Sequence, residues 1–400
     1  MEYLVPYVLE WMNMLVRWLH VITGIAWIGA SFYFVWLDNS LRPPAPGSDL
    51  ADKGVAGELW AVHGGGFYNP QKYLVAPAEL PAELHWFKWE AYSTWLSGFA
   101  LLVIVYWLNA QAMMVDRAVA DLAPWQAVGV GLGCIVAGWI VYDLLCRSPL
   151  GKHDLAFGVV VFALLVGAAW VLTHVLSGRA AYIHVGAMIG TIMVANVAMV
   201  IIPGQRRMVE AMRAGQKPDP VYGIRGKQRS VHNNYFTLPV LFIMISNHFA
   251  MTYRHPHAWA VLGVIMAAGV FIRHFFNLRH KGRVEWVYPA IGVALLLGLA
   301  VALAPPRPVA AKGTVDFARV QAIVARRCVS CHAAHPTQPG FASAPAGVML
   351  DDAHGIAQNA PRIYQQAVQL KAMPLANMTG MTDAERAEIA AWFEAGATTR

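Results

Sequence analysis

Charge is what this chain has little of. Only 13% of its 400 residues are Asp, Glu, Lys or Arg, against roughly 25% in an ordinary soluble protein, while 57% are hydrophobic. So few charges cannot cover a globular surface of this size, which excludes a soluble enzyme and points to a polytopic membrane protein. Cysteine is scarce too. Of the four present, Cys134 and Cys146 lie far apart from the other two in apolar sequence, so no disulfide framework is expected. The N-terminus, Met1 to Glu10, lacks a basic region and a small-residue cleavage site, so no removable signal peptide is expected. Repeats and low-complexity tracts are absent as well. The net charge of +7 resides in short loops between apolar runs and forms no solvated patch or arm, which argues against nucleic acid as a partner.

Apolar runs of about 17 to 25 residues are the length of a membrane-spanning helix. They predict an all-α, polytopic bundle of eight transmembrane helices over residues 1–304, roughly Trp11 to Leu37, Trp89 to Asn109, Trp125 to Leu145, Leu155 to Leu176, Ile183 to Ile202, Tyr235 to Thr252, Ala258 to Leu278 and Trp286 to Ala304. The larger inner loops are 38–88 and 203–234, and a Pro-rich linker, 305–313, leads into a C-terminal domain over 314–400. Eight spans return the chain to its starting side. Basic residues such as Arg206, Arg207, Arg213, Lys217, Arg225, Lys227 and Arg229 then fall on inner loops, while the outer loops hold only Arg117, Arg179 and Arg254. That asymmetry is the positive-inside pattern and puts both termini outside.

The C-terminal domain carries Cys328-Val-Ser-Cys331-His332. Two cysteines separated by two residues and followed at once by histidine form the attachment pattern of a c-type haem, with thioethers from the thiolates and the imidazole as proximal iron ligand. Thr314 to Arg327 reads as an amphipathic helix before the motif, with Phe317, Val320, Ile323 and Val324 on one face. Met373-Pro374 supplies a thioether as distal ligand, Met378 and Met381 being alternatives. Thr382 and Glu385 form a capping box opening a last helix with Ile389, Trp392 and Phe393 on its apolar face. Helix, CxxCH, loop, Met-Pro, helix is the order of a class I-like cytochrome c. Haem attachment takes place on the periplasmic side, in agreement with the loop charges.

Ionisable groups inside a span cost at least about 2.5 kcal/mol for Arg, Lys or Asp at mid-membrane and so draw attention. His20 lies near mid-bilayer in the first span, and His248 one turn from the outer end of the sixth. These two imidazoles are candidates to ligate a b-type haem inside the bundle or to relay protons. The plainer alternative is that such histidines hydrogen-bond across helices, which is the expectation for His174 and His184 at helix ends. The 38–88 loop is too long for a plain connector and holds His63-Gly-Gly-Gly-Phe-Tyr68, whose glycines read first as a turn. The 203–234 loop leads through Arg229-Ser-Val-His232-Asn-Asn-Tyr235 into the sixth span, a set of groups suited to an anionic, hydrogen-bonding ligand.

The segments Trp18-Leu-His20 to Trp27-Ile-Gly29, Trp36-Leu-Asp38, His63 to Tyr68, Leu84-His-Trp-Phe-Lys-Trp-Glu-Ala-Tyr-Ser-Thr-Trp-Leu-Ser-Gly98, Tyr142-Asp-Leu-Leu-Cys146, His232 to Pro239 and Ser246-Asn-His248 resemble the bacterial membrane-bound, cytochrome c-linked urate oxidases, over essentially the whole chain. The resemblance implies oxidation of urate to 5-hydroxyisourate, with electrons leaving through haem c to a respiratory acceptor, a cytochrome c oxidase or a soluble cytochrome. It implies no catalytic residues. From the residues themselves, a pocket at the inner loops is expected, with Arg229, His232, Glu90 and His85 as candidates for catalysis and Lys72, Lys88, Asn233 and Arg229 for binding the flat urate anion. A haem at His20 and His248 would carry electrons outward to haem c on Cys328, Cys331, His332 and Met373. Substrate bound from the outer side would make that internal haem unnecessary. The alternatives are a quinol or other small-molecule dehydrogenase that reduces a cytochrome, and a non-catalytic electron-delivery scaffold in the lipid bilayer.

Overall fold

A computed structural model describes residues 4–304, 315–339 and 341–399. The Pro-rich linker and Thr314 lie outside the described residues. The chain is mainly helical. Its principal helices are α1 (Leu4–Ser40), α2 (Trp89–Leu101), α3 (Pro124–Arg147), α4 (Asp154–Thr173), α5 (Gly178–Ala195), α6 (Ile202–Arg213), α7 (Pro220–Ile245), α8 (Ala258–His280) and α9 (Val287–Ala302), followed by α10 (Phe317–Arg327) and α11 (Asp383–Glu394).

Five segments are long and apolar enough to cross a membrane: Tyr7–Ser40, Pro124–Arg147, Asp154–Thr173, Gly178–Arg213 and Ala258–His280. The expectation of eight is not met on that criterion, for three separate reasons. After 13 residues α2 gives way to a π-helical turn, Leu102–Trp107. In α7 the first half carries Arg225, Lys227 and Arg229. At 16 residues, α9 is about 24 Å long, short of the ~30 Å hydrocarbon core.

The bundle is organised around α5, which packs on α3, α4 and α7. Ala180, Ala181, Tyr182, His184, Val185 and Ile189 on it are all buried. Small residues allow this closeness. A Cβ on Gly131 of α3 would fall 2.4 Å from His184 Nε2, and one on Gly138 would fall 2.4 Å from Met188 Sδ. Gly131→Ala is therefore expected to destabilise the bundle by about 1–3 kcal/mol through overpacking, read as a lowered Tm of the detergent-solubilised protein. The outer faces carry exposed Trp18 and Ile25 of α1, Ile140 and Leu144 of α3, Leu155 and Val159 of α4, and Leu297 and Val301 of α9. Apolar surface on that scale needs lipid against it.

The long loop between α1 and α2 departs from an all-α description. Its strands β1 (Val55–Glu58) and β4 (Gln71–Tyr73) pair antiparallel, as do β2 (Ala61–His63) and β3 (Gly66–Tyr68). Gly64 and Gly65, at φ +57° and +81°, make the tight turn of the inner hairpin, a conformation that disfavours side chains. The glycine run is thus a turn.

In the C-terminal domain, Asp316 caps α10, whose Phe317, Val320, Ile323 and Val324 are buried against Ile389 and Trp392 of α11. Thr382 and Glu385 cap α11 reciprocally. Helix α10 begins at Phe317, and the predicted apolar face is the one that packs.

This domain is seated on one end of the bundle. Ala372 and Leu375 line a common cavity with Ala112, Met113, Ser177 and Gly178. Arg254 donates to the Lys371 carbonyl, and Ser343 Oγ donates to Glu10 Oε1 at 2.9 Å. The start of α1, the segment after α2, the start of α5 and the turn between α7 and α8 therefore share the end that faces the cytochrome-like domain.

Candidate functional site

Helix α7 is the polar hub of the half of the bundle away from the cytochrome domain. At 100° per residue, four consecutive side chains point to different neighbours, and here each finds a partner. His232 Nδ1 lies 2.8 Å from Tyr142 Oη, with its ring stacked on Phe157 at 4.6 Å. Asn233 Oδ1 accepts from Asn196 Nδ2 at 2.9 Å, and its own Nδ2 donates to the Met193 carbonyl at 2.9 Å. Asn234 accepts from Arg273 Nε and donates to Asn277 Oδ1 at 2.9 Å. Tyr235 Oη meets His274 Nδ1 at 2.7 Å.

One turn earlier on α7, buried Arg229 donates to Asp143 Oδ1 at 2.7 Å and Asn196 Oδ1 at 3.1 Å, with its guanidinium 5.1 Å above the Tyr142 ring. The predicted Arg229, His232 and Asn233 are thus brought together, and Tyr142, Asp143 and Asn196 complete the cluster. Asp143 and Asn196, polar groups within apolar runs, were the available sequence signal.

The other predicted inner residues lie elsewhere. Lys72 and Lys227 both pair with Asp38 near the end of α1. Lys88 lines a cleft of 340 Å³ with Trp86, Arg206, Val209, Glu210 and Arg213. His85 is exposed, edge-on to Phe87 at 4.6 Å. Glu90 is half-buried, and its Oε2 has no hydrogen-bond partner among the described residues.

Nor do His20 and His248 form a facing pair for an internal haem. His20 Nδ1 is 3.0 Å from both the Thr94 carbonyl and Ser97 Oγ, and its ring packs on Gly98, where a Cβ would fall 2.8 Å from Cε1. His248 is exposed, in the short turn that ends α7. This arrangement does not support haem b. His174 hydrogen-bonds the Trp170 carbonyl at 2.7 Å. His184, deeper than its sequence position suggested, accepts from Trp107 Nε1 at 3.1 Å and is fully buried.

The C-terminal domain fits a covalent haem. Cys328 and Cys331 at the end of α10 are free thiols. His332 Nδ1 lies 3.0 Å from the Val348 carbonyl, the second bond that fixes the ring and leaves Nε2 for iron. Met381 is buried in the domain core. The Met373 carbonyl accepts from Arg386 Nη1 at 2.8 Å, and its amide donates to the Gln366 carbonyl at 3.0 Å, which holds that loop in place. Haem held by Cys328, Cys331, His332 and Met373 would supply a one-electron carrier.

Glu385 ties the motif helix to α11. Its Oε1 accepts from Arg327 Nε and Nη2, each at 3.1 Å, and Oε2 from the Thr382 amide at 2.8 Å. Burial alone would raise this carboxyl, but the Thr382 amide and Arg327 hold it below its ordinary value of 4.5. A depressed folded pKa gives stability that is present above the unfolded value and lost as pH falls through the folded one. Acid titration followed by haem absorbance is expected to show loosening below pH 4.5, and Glu385→Gln to weaken that dependence.

Comparison with known families gives two matches. A family model described as urate oxidase N-terminal covers residues 6–304, and one described as cytochrome c covers residues 317–395. No match was found among curated proteins or among solved structures.

Proposed function

Because the chain belongs to the urate oxidase N-terminal family, with a cytochrome c domain fused behind it, we propose that it oxidises urate to 5-hydroxyisourate at the membrane and delivers the electrons through its cytochrome domain to a respiratory acceptor. Urate takes the oxygen of one water and releases two electrons and two protons, so the reaction balances without dioxygen. The electrons leave singly, to a cytochrome c oxidase or a soluble cytochrome.

The observation that carries this reading is the seat of the cytochrome domain. Its segment around Met373 rests on the outer end of the bundle through Ala372, Leu375 and the Arg254 contact to Lys371. A domain meant only to serve a distant partner has no need to bury that loop against the membrane part. The basic residues gathered in the loops at the opposite end support a periplasmic cytochrome domain, with the remaining helices completing eight crossings.

Away from the cytochrome domain, the Arg229 guanidinium is already held by Asp143 and Asn196, with the more exposed Arg147 on the second carboxylate oxygen, so its donors are committed within the protein. We assign Arg229, Asp143, Asn196 and Asn233 to holding the helices in register. His232, with Tyr142 on Nδ1, is the group there that can take up and pass on a proton.

The test is direct. Purified protein given urate and ferricytochrome c should consume urate with two cytochromes reduced for each molecule lost, with or without dioxygen. Turnover with a quinol and none with urate would favour a different dehydrogenase. Reduction of neither would leave an electron-delivery scaffold.

A further inference from the structure

We propose that the cleft between α6 and the segment leading into α2, walled by Trp86, Lys88, Arg206, Val209, Glu210 and Arg213, binds the phosphate headgroup of an anionic phospholipid at the membrane surface away from the cytochrome domain. The inference is independent of the urate reading and holds or fails by itself.

Depth is the first ground. Helix α5 continues through a π-helical turn, Asn196–Ile201, into α6, and from Ala180 to Gln205 the chain carries no Asp, Glu, Lys or Arg. At ~1.5 Å per residue that stretch takes the chain about 40 Å from Arg179, which lies at the cytochrome end, and this is the thickness of a hydrocarbon core with its interfacial layers. Arg206 is therefore the first charge to emerge on the far side. Trp86 packs against the cluster of Ala91, Val197 and Ile202, so both walls of the cleft stand where headgroups lie.

Charge is the second ground. Arg206, Val209, Glu210 and Arg213 fall at i, i+3, i+4 and i+7, which is one face of α6. With Lys88 on the opposite wall, three cations meet one carboxylate, and no ion pair ties any of the three to a carboxylate among the described residues. Lys88 lies 5.8 Å from the Trp89 ring, while the guanidiniums of Arg206 and Arg213 have no hydrogen-bond partner among the described residues. Each such cation at a membrane surface strengthens the hold on an anionic lipid roughly fivefold. A bound phosphate relieves the repulsion among them and joins α6 to the start of α2.

Size and surroundings are the third. At 340 Å³ the cleft has the volume of a small-ligand site, enough for a phosphoglycerol headgroup and too little for its acyl chains. Trp89 and Leu96 on α2 and Met199 on the π turn are exposed, and they offer those chains apolar surface that a soluble anion would leave unused.

Native mass spectrometry of the detergent-solubilised holoprotein, titrated with phosphatidylglycerol, should show one tightly held lipid per chain. Phosphatidylcholine bound as tightly would overturn the site. Arg206→Gln with Arg213→Gln is expected to raise the Kd for phosphatidylglycerol roughly 10- to 50-fold, with the haem spectrum unchanged, and an unaltered Kd would overturn the proposal. Arg279→Gln with Lys281→Gln removes as many charges from the same end of the bundle, at the close of α8, and should leave the Kd as it was. An equal loss there would overturn the cleft in favour of diffuse attraction. Glycerol phosphate that displaced the lipid at matched concentration would overturn the lipid as ligand and leave a soluble phosphate in its place. Should the double variant misfold, Val209→Trp, which fills the cleft and keeps every charge, decides the matter. Loss of the tight lipid supports the site, and undiminished binding overturns it.

Discussion

Replacing Cys328 and Cys331 with serine is expected to abolish covalent haem attachment and, with it, urate-dependent reduction of any acceptor. The thioethers are the covalent hold on the porphyrin, and serine offers no sulfur to the vinyl groups. Denaturing gel electrophoresis with a haem stain should show the band at this chain's mass disappear, and urate turnover should fall to background. Labelled urate should still bind, because both cysteines lie in the cytochrome domain, outside the part matched by the urate oxidase family. Retained turnover in the double variant would mean that the electrons leave by another route. The single variants are informative as well: one remaining thioether with His332 intact should keep some haem, so the double variant is the decisive one.

The second large effect is expected at the buried ion pair. Arg229 is 4% exposed and its guanidinium is divided between Asp143 and Asn196. Removing one partner of a buried pair strands the other charge, at a cost of about 3–5 kcal/mol. Asp143→Leu should lower the Tm of the detergent-solubilised protein sharply, because it leaves the buried Arg229 guanidinium without a carboxylate, and Arg229→Met should lower it less, because Asp143 keeps Arg147 at 2.7 Å. The double variant should be less destabilised than the sum of the two, since it removes both charges together. A double variant as unstable as that sum would show that the two residues act on separate neighbours, and the cluster would then be no unit. Asn196 and Tyr142 share its hydrogen bonds, so their substitutions are expected to couple to Arg229 in the same cycle.

Some of this was legible along the chain. The haem motif is five contiguous residues, and the helices around it follow a 3.6-residue period, so α10, the capping box at Thr382 and the apolar face of α11 could be read locally. Most of the long apolar helices could be read for the same reason, because hydropathy over a window needs no partner. What misled was the assumption that every apolar run is a uniform span. The π turn after α2 depends on how that helix meets its neighbours, and the basic stretch expected as a loop before residue 235 is the helical first half of α7. The short hairpins at residues 55–73 were missed because their strands are three or four residues long, with the glycines as their only mark.

Pairing was the part that stayed hidden. His20 and His248 looked equivalent as imidazoles near a membrane, yet one is pinned to α2 and the other is exposed at a helix end. Arg229 looked like an anion anchor until Asp143 was found against it, while Arg179 looked like a plain loop charge until its Nε was found buried beside Tyr253. The amino-acid sequence by itself determined the membrane character, the covalent haem and the family, all of which follow from composition, contiguous motifs or residue order. Only the tertiary structure decided which charges are neutralised and which are left over. That depends on side chains brought together from positions such as 143 and 229, or 179 and 253, and no local pattern in the chain records which of them will meet.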